Sequence, residues 1–500
     1  MGSRSTSTAG FSTHPAGLRT LFFTEMWERF SFYGMRAFLV LFMVASIEGG
    51  GLGLDDKTAT AIYGLYTAAI YVVALPGGWI ADRLLGAQRA VWHGGVLIML
   101  GHFTLAIPSV YAFFLGLLLV VLGTGLLKPN MSALVGELYA SNDERRDAGF
   151  TLYYMGINLG GFLGPLVCSS LAEHETLGWH WGFAAAGIGM AMGLIYFRHS
   201  RPLLGEAGLR ASLRPENPAD QAVLRAGWVR VGTGLALLVL VTVALMSGLV
   251  PVDAAAIAAN STVAIVALGA LFLAYLLRFG GLDAAERGRV LAIFILSLAA
   301  SLFWAGFEQA GSTLNLFAER YTDRMLGSFE IPTGWFQSLN SAFIILLAPV
   351  FAALWIHLAR RQKEPGTPIK FAFGLFVLAA GFAVMIPAAM VVSGGEKVLP
   401  TWLITTYCFH TVAELALSPV GLSVTTKLAP RRYAGQMMGI WFLTLALGNL
   451  IAGLAAGRFD PEALDEMPML YGQIVLTTAG TGVLLLLLLR PLRRLMGGVR

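Results

Sequence analysis

Residues 199–226 read HSRPLLGEAGLRASLRPENPADQAVLRA, a polar stretch inside an otherwise apolar chain. Pro202, Pro215 and Pro218 mark it as a connector. Arg201, Arg210, Arg214, Arg225 and the bordering Arg198 make it basic. Before it, six apolar runs follow one another between residues 19 and 198. After it come two runs with no internal charge, rich in Ala, Val and Leu, and then six more between 289 and 490. Each run is near the roughly 20 residues that a helix needs to cross a bilayer. The layout is therefore six spans, two and six, beginning with 19–47 and including 111–138, 227–247, 289–318 and 400–427. The expected domains are a tail over 1–18, a six-helix bundle over 19–198, a connector with two additional helices over 199–288, a second bundle over 289–490 and a tail over 491–500. The extra pair offers little chemistry and is expected at the periphery.

Composition agrees with this reading. The 500 residues are 56% hydrophobic and only 13% charged, about half the charge of a soluble domain, and the mean hydropathy is +0.70. An all-α polytopic membrane protein of fourteen spans is expected. Alternating short strands are not apparent, which argues against a β-barrel. The pI near 9.2 does not indicate nucleic acid, because the basic residues sit in short loops between spans. Cys168 and Cys408 lie inside apolar segments and show no pairing pattern, and no metal-ligand spacing is visible.

The loops also set orientation. Of 34 Lys and Arg, 26 fall on the side of the N-terminal tail and five on the other: Lys57, Arg320, Arg324, Lys397 and Arg458. This bias assigns both termini to the cytoplasm. Two six-span bundles are the layout of a major facilitator transporter, whose substrate site lies between the halves at the midplane. Gly160/Gly164 and Gly453/Gly457 repeat at intervals of four, which reads as close helix packing. Pro129, Pro349 and Pro419 fall within spans and can bend them.

Arg29, Arg36 and Lys128 are the cations left inside spans. A buried ionisable side chain costs a few kcal/mol and needs a cavity or a partner. Glu25, Glu28, Arg29, Tyr33 and Arg36 recur at helical spacing along one stripe of the first span. Two carboxylates competing for one guanidinium can hold a single exchangeable proton. Arg36 and Lys128 come from the first half, and Glu308 and Glu414 from the second. A ligand between halves would meet cations on one wall and carboxylates on the other, which suits a zwitterion; without ligand the same groups can pair. Tyr71, Tyr154, Asn158, Asn340 and Trp441 can complete such a pocket, although each alone is more often packing. His410, one turn from Glu414, is a candidate to share its proton.

Glu25-Met-Trp-Glu28-Arg29-Phe30-Ser-Phe32-Tyr33 resembles the ExxERFxYY motif of the proton-dependent oligopeptide transporters, a branch of the major facilitator superfamily. Gly77-Gly78-Trp-Ile-Ala-Asp82-Arg83-Leu-Leu-Gly86 and Phe150-Thr-Leu-Tyr-Tyr154-Met-Gly-Ile-Asn158-Leu-Gly-Gly161-Phe are similar to its two signatures. Further matches are Gly125-Leu-Leu-Lys128-Pro129-Asn130, Phe303-Trp304 through Glu308-Gln309, Phe336-Gln-Ser-Leu-Asn340 and Glu414-Leu-Ala-Leu-Ser418-Pro419.

The resemblance implies uptake of di- and tripeptides with protons, by a monomer in the lipid bilayer of a bacterial inner membrane. The proton gradient drives it and no cofactor is needed. Glu25, Glu28 and Arg29 would couple protons, and Glu308 would link proton state to gating. Arg36 and Lys128 would hold the peptide carboxylate and Glu414 its amino group. Tyr33, Tyr71, Asn158, Asn340, Ser418 and Trp441 would line the pocket. Two features depart from the pattern. Phe32 stands where the motif has its first tyrosine, and the second span has no histidine, so coupling should rest on carboxylates. The rival within transport is a carrier of nitrate or a peptide-like compound, which Glu308 and Glu414 would repel if it were a bare anion. An integral-membrane enzyme is the rival from another class, but no nucleophile with a base is visible.

Overall fold

The computed structural model describes residues 11–140, 143–209, 211–213, 217–246, 253–459 and 463–497. Arg4, Arg210, Arg214, Pro215 and Arg500, and residues 1–10 of the expected tail, lie outside the described residues. Apolar length decides most of the architecture. The first bundle's helices are α1 (Gly17–Val44), α2 (Asp56–Ile80), α3 (Ala87–Leu105), α4 (Val110–Glu137), α5 (Arg146–Ala172) and α6 (Trp179–Ser200). The extra pair is α7 (Pro218–Met246) and α8 (Ala254–Phe279). There follow α9 (Ala284–Phe307), the short α10 (Thr313–Tyr321), α11 (Trp335–Arg360), α12 (Thr367–Ser393), α13 (Thr401–Leu428), α14 (Ala434–Ala456), α15 (Met467–Leu487) and the short α16 (Leu489–Leu495).

Among the described residues, eleven helical segments are long and apolar enough to cross a bilayer by length and composition. The other three long helices are α1, α3 and α13, which carry polar residues such as Glu25, Arg29, His93, His102 and Glu414. Among the described residues, the β structure is a hairpin pairing Met325–Leu326 with Phe329–Glu330 and an isolated parallel bridge between Thr322 and Val398.

Three boundaries differ from the sequence reading. Pro218 opens α7 nine residues before the expected start at 227, because Pro suits the first turn of a helix and the residues that follow are helix formers. The expected tail from 491 begins inside α16. The expected continuous span over 289–318 is interrupted: α9 stops at Phe307, Glu308–Gly311 form a 3-10 turn, and α10 starts at Thr313. Helix-breaking backbone at membrane depth is tolerated where protein groups satisfy it.

Two compact units divide the chain, Met1–Met35 with Val72–Val252 and Arg36–Tyr71 with Asp253–Arg500. This grouping differs from a division at the connector, since Arg36–Tyr71 goes with the later helices. In the first unit α3 packs on α4 and α6. Its core holds Leu18, Leu21, Val91, Ile98, Leu127, Leu134, Met190 and Phe197. The connector's first part is tied down there: the Gln88 amide donates to Ala207 O (2.6 Å) and Gly205 O (3.3 Å), Arg201 donates to Gln88 Oε1 (2.8 Å), and Gly208 N donates to Glu137 Oε2 (2.7 Å). In the second unit α12 packs on α13 and α15, and α14 on α9 and α8. Both extra helices are largely exposed along their apolar stretches.

One local feature yields a stability test. α11 ends in a Schellman motif, with Lys363 N donating to Leu358 O and Gln362 N to Ala359 O, both at 2.9 Å. Gln362 holds the left-handed position of that motif, at φ 57°, where a Cβ is unfavourable. Gln362→Gly is expected to stabilise the protein by about 1 kcal/mol and raise its thermal midpoint in detergent. Gln362→Ala keeps the Cβ and should not.

Candidate functional site

The first unit holds the acidic cluster of α1. Three glycines of α5 bring the two helices into backbone contact. A Cβ at Gly156 would meet Phe22 O, one at Gly160 would meet Met26 O and Arg29 Cβ, and one at Gly164 would meet Phe30 O. The Gly160/Gly164 spacing thus serves close packing, as small residues do in membranes. On this backing Arg29 Nε pairs with Glu25 Oε1 (3.1 Å) and with Glu28 Oε2. Glu25, Glu28 and Arg29 are all buried. Glu25 Oε2 and Glu28 Oε1 are buried without a hydrogen-bond donor among the described residues. Lys128, half-buried on α4 just before Pro129, lies in electrostatic reach of Glu28. Two carboxylates and two cations therefore balance when all are ionised.

Tyr33 is half-buried and meets the Phe32 ring edge to face at 5.2 Å. Of the adjacent tyrosines of α5, Tyr153 is buried and faces Glu25. Tyr154, the one the sequence pattern singles out, is 39% exposed. Its carbonyl accepts from the buried Asn158 side chain (2.9 Å).

The second unit centres on the broken span. Glu308 begins the 3-10 turn, and its Oε2 accepts from Arg36 Nη2 at 2.6 Å, with both side chains buried. The Arg36 guanidinium also lies 5.9 Å from the centre of the Tyr63 ring. Gly311 leaves the space for this arrangement, since a Cβ there would collide with Tyr63 Oη. The turn is braced from several sides. The Gln309 amide donates to Ala305 O and Ala452 O (3.2 Å each), and Tyr407 Oη donates to Ala310 O (3.3 Å). Ala37 O accepts from Asn315 (2.8 Å) and Gln337 (3.3 Å), and the Asp56 carboxylate accepts from both terminal guanidinium nitrogens of Arg320 (2.6 and 2.8 Å). Arg36–Tyr71 is thus bound to the 3-10 turn, α10 and α11 by two ion pairs and two side-chain amide hydrogen bonds.

Glu414, on α13, accepts from Asn340 Nδ2 of α11 at 3.0 Å. The same amide donates to Thr411 Oγ1 (3.1 Å), which orients it. No ion pair reaches Glu414 among the described residues, although Glu308 and Arg36 are in electrostatic reach. Ser418 is half-buried one turn on, beside Pro419. Trp441 is buried against Gly421. Tyr71 packs on a cluster of small residues that includes Ala68, Ala258 and Ala446.

One expectation is corrected. His410 does not bond Glu414; its buried ring lies 4.7 Å from Phe382 and 6.3 Å from Phe307, in space left by Gly381, with neither nitrogen bonded among the described residues.

A family model described as the POT family matches residues 88–466. The chain belongs to the POT family. That match begins after the Glu25–Tyr33 stretch, but full-length POT relatives align over the whole chain. It is 46% identical to the "Peptide transporter YePEPT" of Yersinia enterocolitica, over 99% of this chain and 98% of that one. It is 35% identical to a "Di-/tripeptide transporter" of Lactococcus lactis, over 98% of each. A crystal structure of a peptide transporter POT in complex with sulfate superposes with TM-score 0.88 at 41% identity, covering 97% of both chains. As a POT family member the chain is a multi-pass membrane transporter, not an enzyme.

The charged residues that sequence reading picked fall in two sets, Glu25, Glu28, Arg29 and Lys128 in one unit and Arg36, Glu308 and Glu414 in the other, where the neutral Asn340 amide bonds Glu414. It missed Tyr153, Thr411, Tyr63 and the Asp56–Arg320 pair. Thr411 had a usable signal, standing three residues before Glu414 on the same helical stripe.

Proposed function

We propose that this chain is a proton-coupled importer of di- and tripeptides that works as a monomer by alternating access. On this reading it lies in a bacterial inner membrane with both termini in the cytoplasm, as the bias of Lys and Arg supports. The carrying observation is Glu414, a carboxylate held by a neutral amide and not by a cation. Glu308 already has Arg36, so the second set has one carboxylate more than it has cations, and an ammonium group completes it. Lys128, at the edge of the first set, is the group for the peptide's carboxylate. A carboxylate that draws on Lys128 leaves Glu25 and Glu28 with Arg29 alone, and a proton on one of them restores neutrality. Peptide and proton are then favoured together, which is symport.

The Arg36–Glu308 and Asp56–Arg320 pairs and the bonds to Ala37 O are the contacts that opening of the α1 and α2 ends must break. Such a pair supplies the two-state element alternating access needs. Tyr33, Tyr71, Tyr154, Asn158, Ser418 and Trp441 would shape the pocket for side chains.

Glu414→Gln tests the amine assignment, because it keeps shape and removes charge. It is expected to weaken binding of a free-amine dipeptide about tenfold or more and leave its N-acetylated form nearly unchanged in competition assays. Equal losses for both would remove Glu414 from amine recognition. Nitrate, a bare anion, should not compete.

A further inference from the structure

Arg29 has more bonding capacity than its two acids use. Its Nε serves both Glu25 and Glu28, while Nη2 is buried and has no hydrogen-bond partner among the described residues. The rest of the guanidinium meets a ring: Arg29 Cζ stands 5.2 Å from the centre of Phe32, one turn further along α1. Phe32 is itself buried, and Tyr33 packs edge-on against it. A guanidinium within about 6 Å of an aromatic face is attracted by the ring quadrupole, most strongly where water is excluded. Gly160 fixes the other side, since Arg29 Cβ fills the space a side chain there would need.

We propose that Phe32 is a positioning residue for proton coupling, its ring face holding the Arg29 guanidinium where one nitrogen bridges Glu25 and Glu28. This rests on the assignment of coupling to those two acids. The ring adds no hydroxyl to compete for either carboxylate, so Arg29 stays committed to them. The other titratable groups facing the cluster are Tyr33 on α1, Tyr153 on α5 and Lys128 on α4. Weakening the ring's hold loosens Arg29 from the acids and lets a proton compete better.

The test keeps the shape and removes the quadrupole, by placing 3,4,5-trifluorophenylalanine at position 32 of the full chain through nonsense suppression. In proteoliposomes the pH midpoint of gradient-driven dipeptide uptake is expected to move upward by about half a unit, with monofluorination giving a smaller shift. Counterflow at equal pH should stay within about twofold, because the pocket charges are untouched. An unchanged midpoint with normal counterflow would overturn the proposal, as would Phe32→Leu with a wild-type pH profile. Loss of counterflow and accumulation in equal measure would overturn it too, by assigning Phe32 to packing. Glu28→Gln is run alongside. If that variant still accumulates peptide, the coupling assignment itself falls and takes this proposal with it; if it does not, an unmoved midpoint counts against Phe32 alone.

Discussion

Glu28→Gln is expected to lower concentrative dipeptide uptake under an acid-outside gradient by about a hundredfold while counterflow at equal pH survives in large part. The reason is charge balance in the first unit. Arg29 bridges Glu25 and Glu28, both buried, and Lys128 supplies the second cation in reach. A glutamine at 28 mimics a permanently protonated carboxyl, so the cluster no longer alternates between two charge states. Arg36, Asn340 and Glu414 are untouched, and exchange of labelled for unlabelled peptide needs no net proton movement. Glu25→Gln should behave alike, because the two acids share one guanidinium. Parallel assays of accumulation and counterflow separate a coupling defect from a folding defect, in which both would fall together. Normal accumulation by both variants would move the proton elsewhere, with Glu308 the next candidate.

Arg36→Ala is expected to be the most damaging single change in the second unit. It leaves Glu308 buried without its 2.6 Å partner, and breaking a buried pair from one side costs about 3–5 kcal/mol. The thermal midpoint should fall clearly, and uptake should be abolished. Removing both charges, as Arg36→Ala with Glu308→Ala, strands no charge and should recover much of the midpoint but none of the uptake. Both outcomes are read by thermal unfolding in detergent followed by reconstitution. A double variant no more stable than Arg36→Ala alone would show that the loss came from packing against Tyr63 and not from the uncompensated carboxylate.

Much of this was legible in the residues, for physical reasons. Spans declare themselves because a bilayer demands about twenty apolar residues at a time. The cluster of α1 stands out because charge inside a span is costly enough to need a purpose. The break at Glu308 was not legible, since Gly306, Gly311 and Ser312 lie in an apolar run where small residues are equally common as packing contacts. Adjacent tyrosines on a helix point about 100° apart, and nothing in Tyr153-Tyr154 says which one faces Glu25. The same limit applied to His410: its spacing from Glu414 allows a shared face, but the space left by Gly381 and the Phe382 ring decided where it points. Partnerships made by distant segments, such as Asp56 with Arg320, have no local signal.

The central claim is that peptide and proton move together through these two charge sets. The direct measurement is lumenal pH in proteoliposomes carrying an entrapped pH dye, with no initial gradient, after a dipeptide is added outside. Acidification of the lumen that saturates with dipeptide, is reproduced by tripeptide and is absent with nitrate or with Glu28→Gln is the predicted result. Peptide entry with no change in lumenal pH, or acidification driven by nitrate, would contradict it.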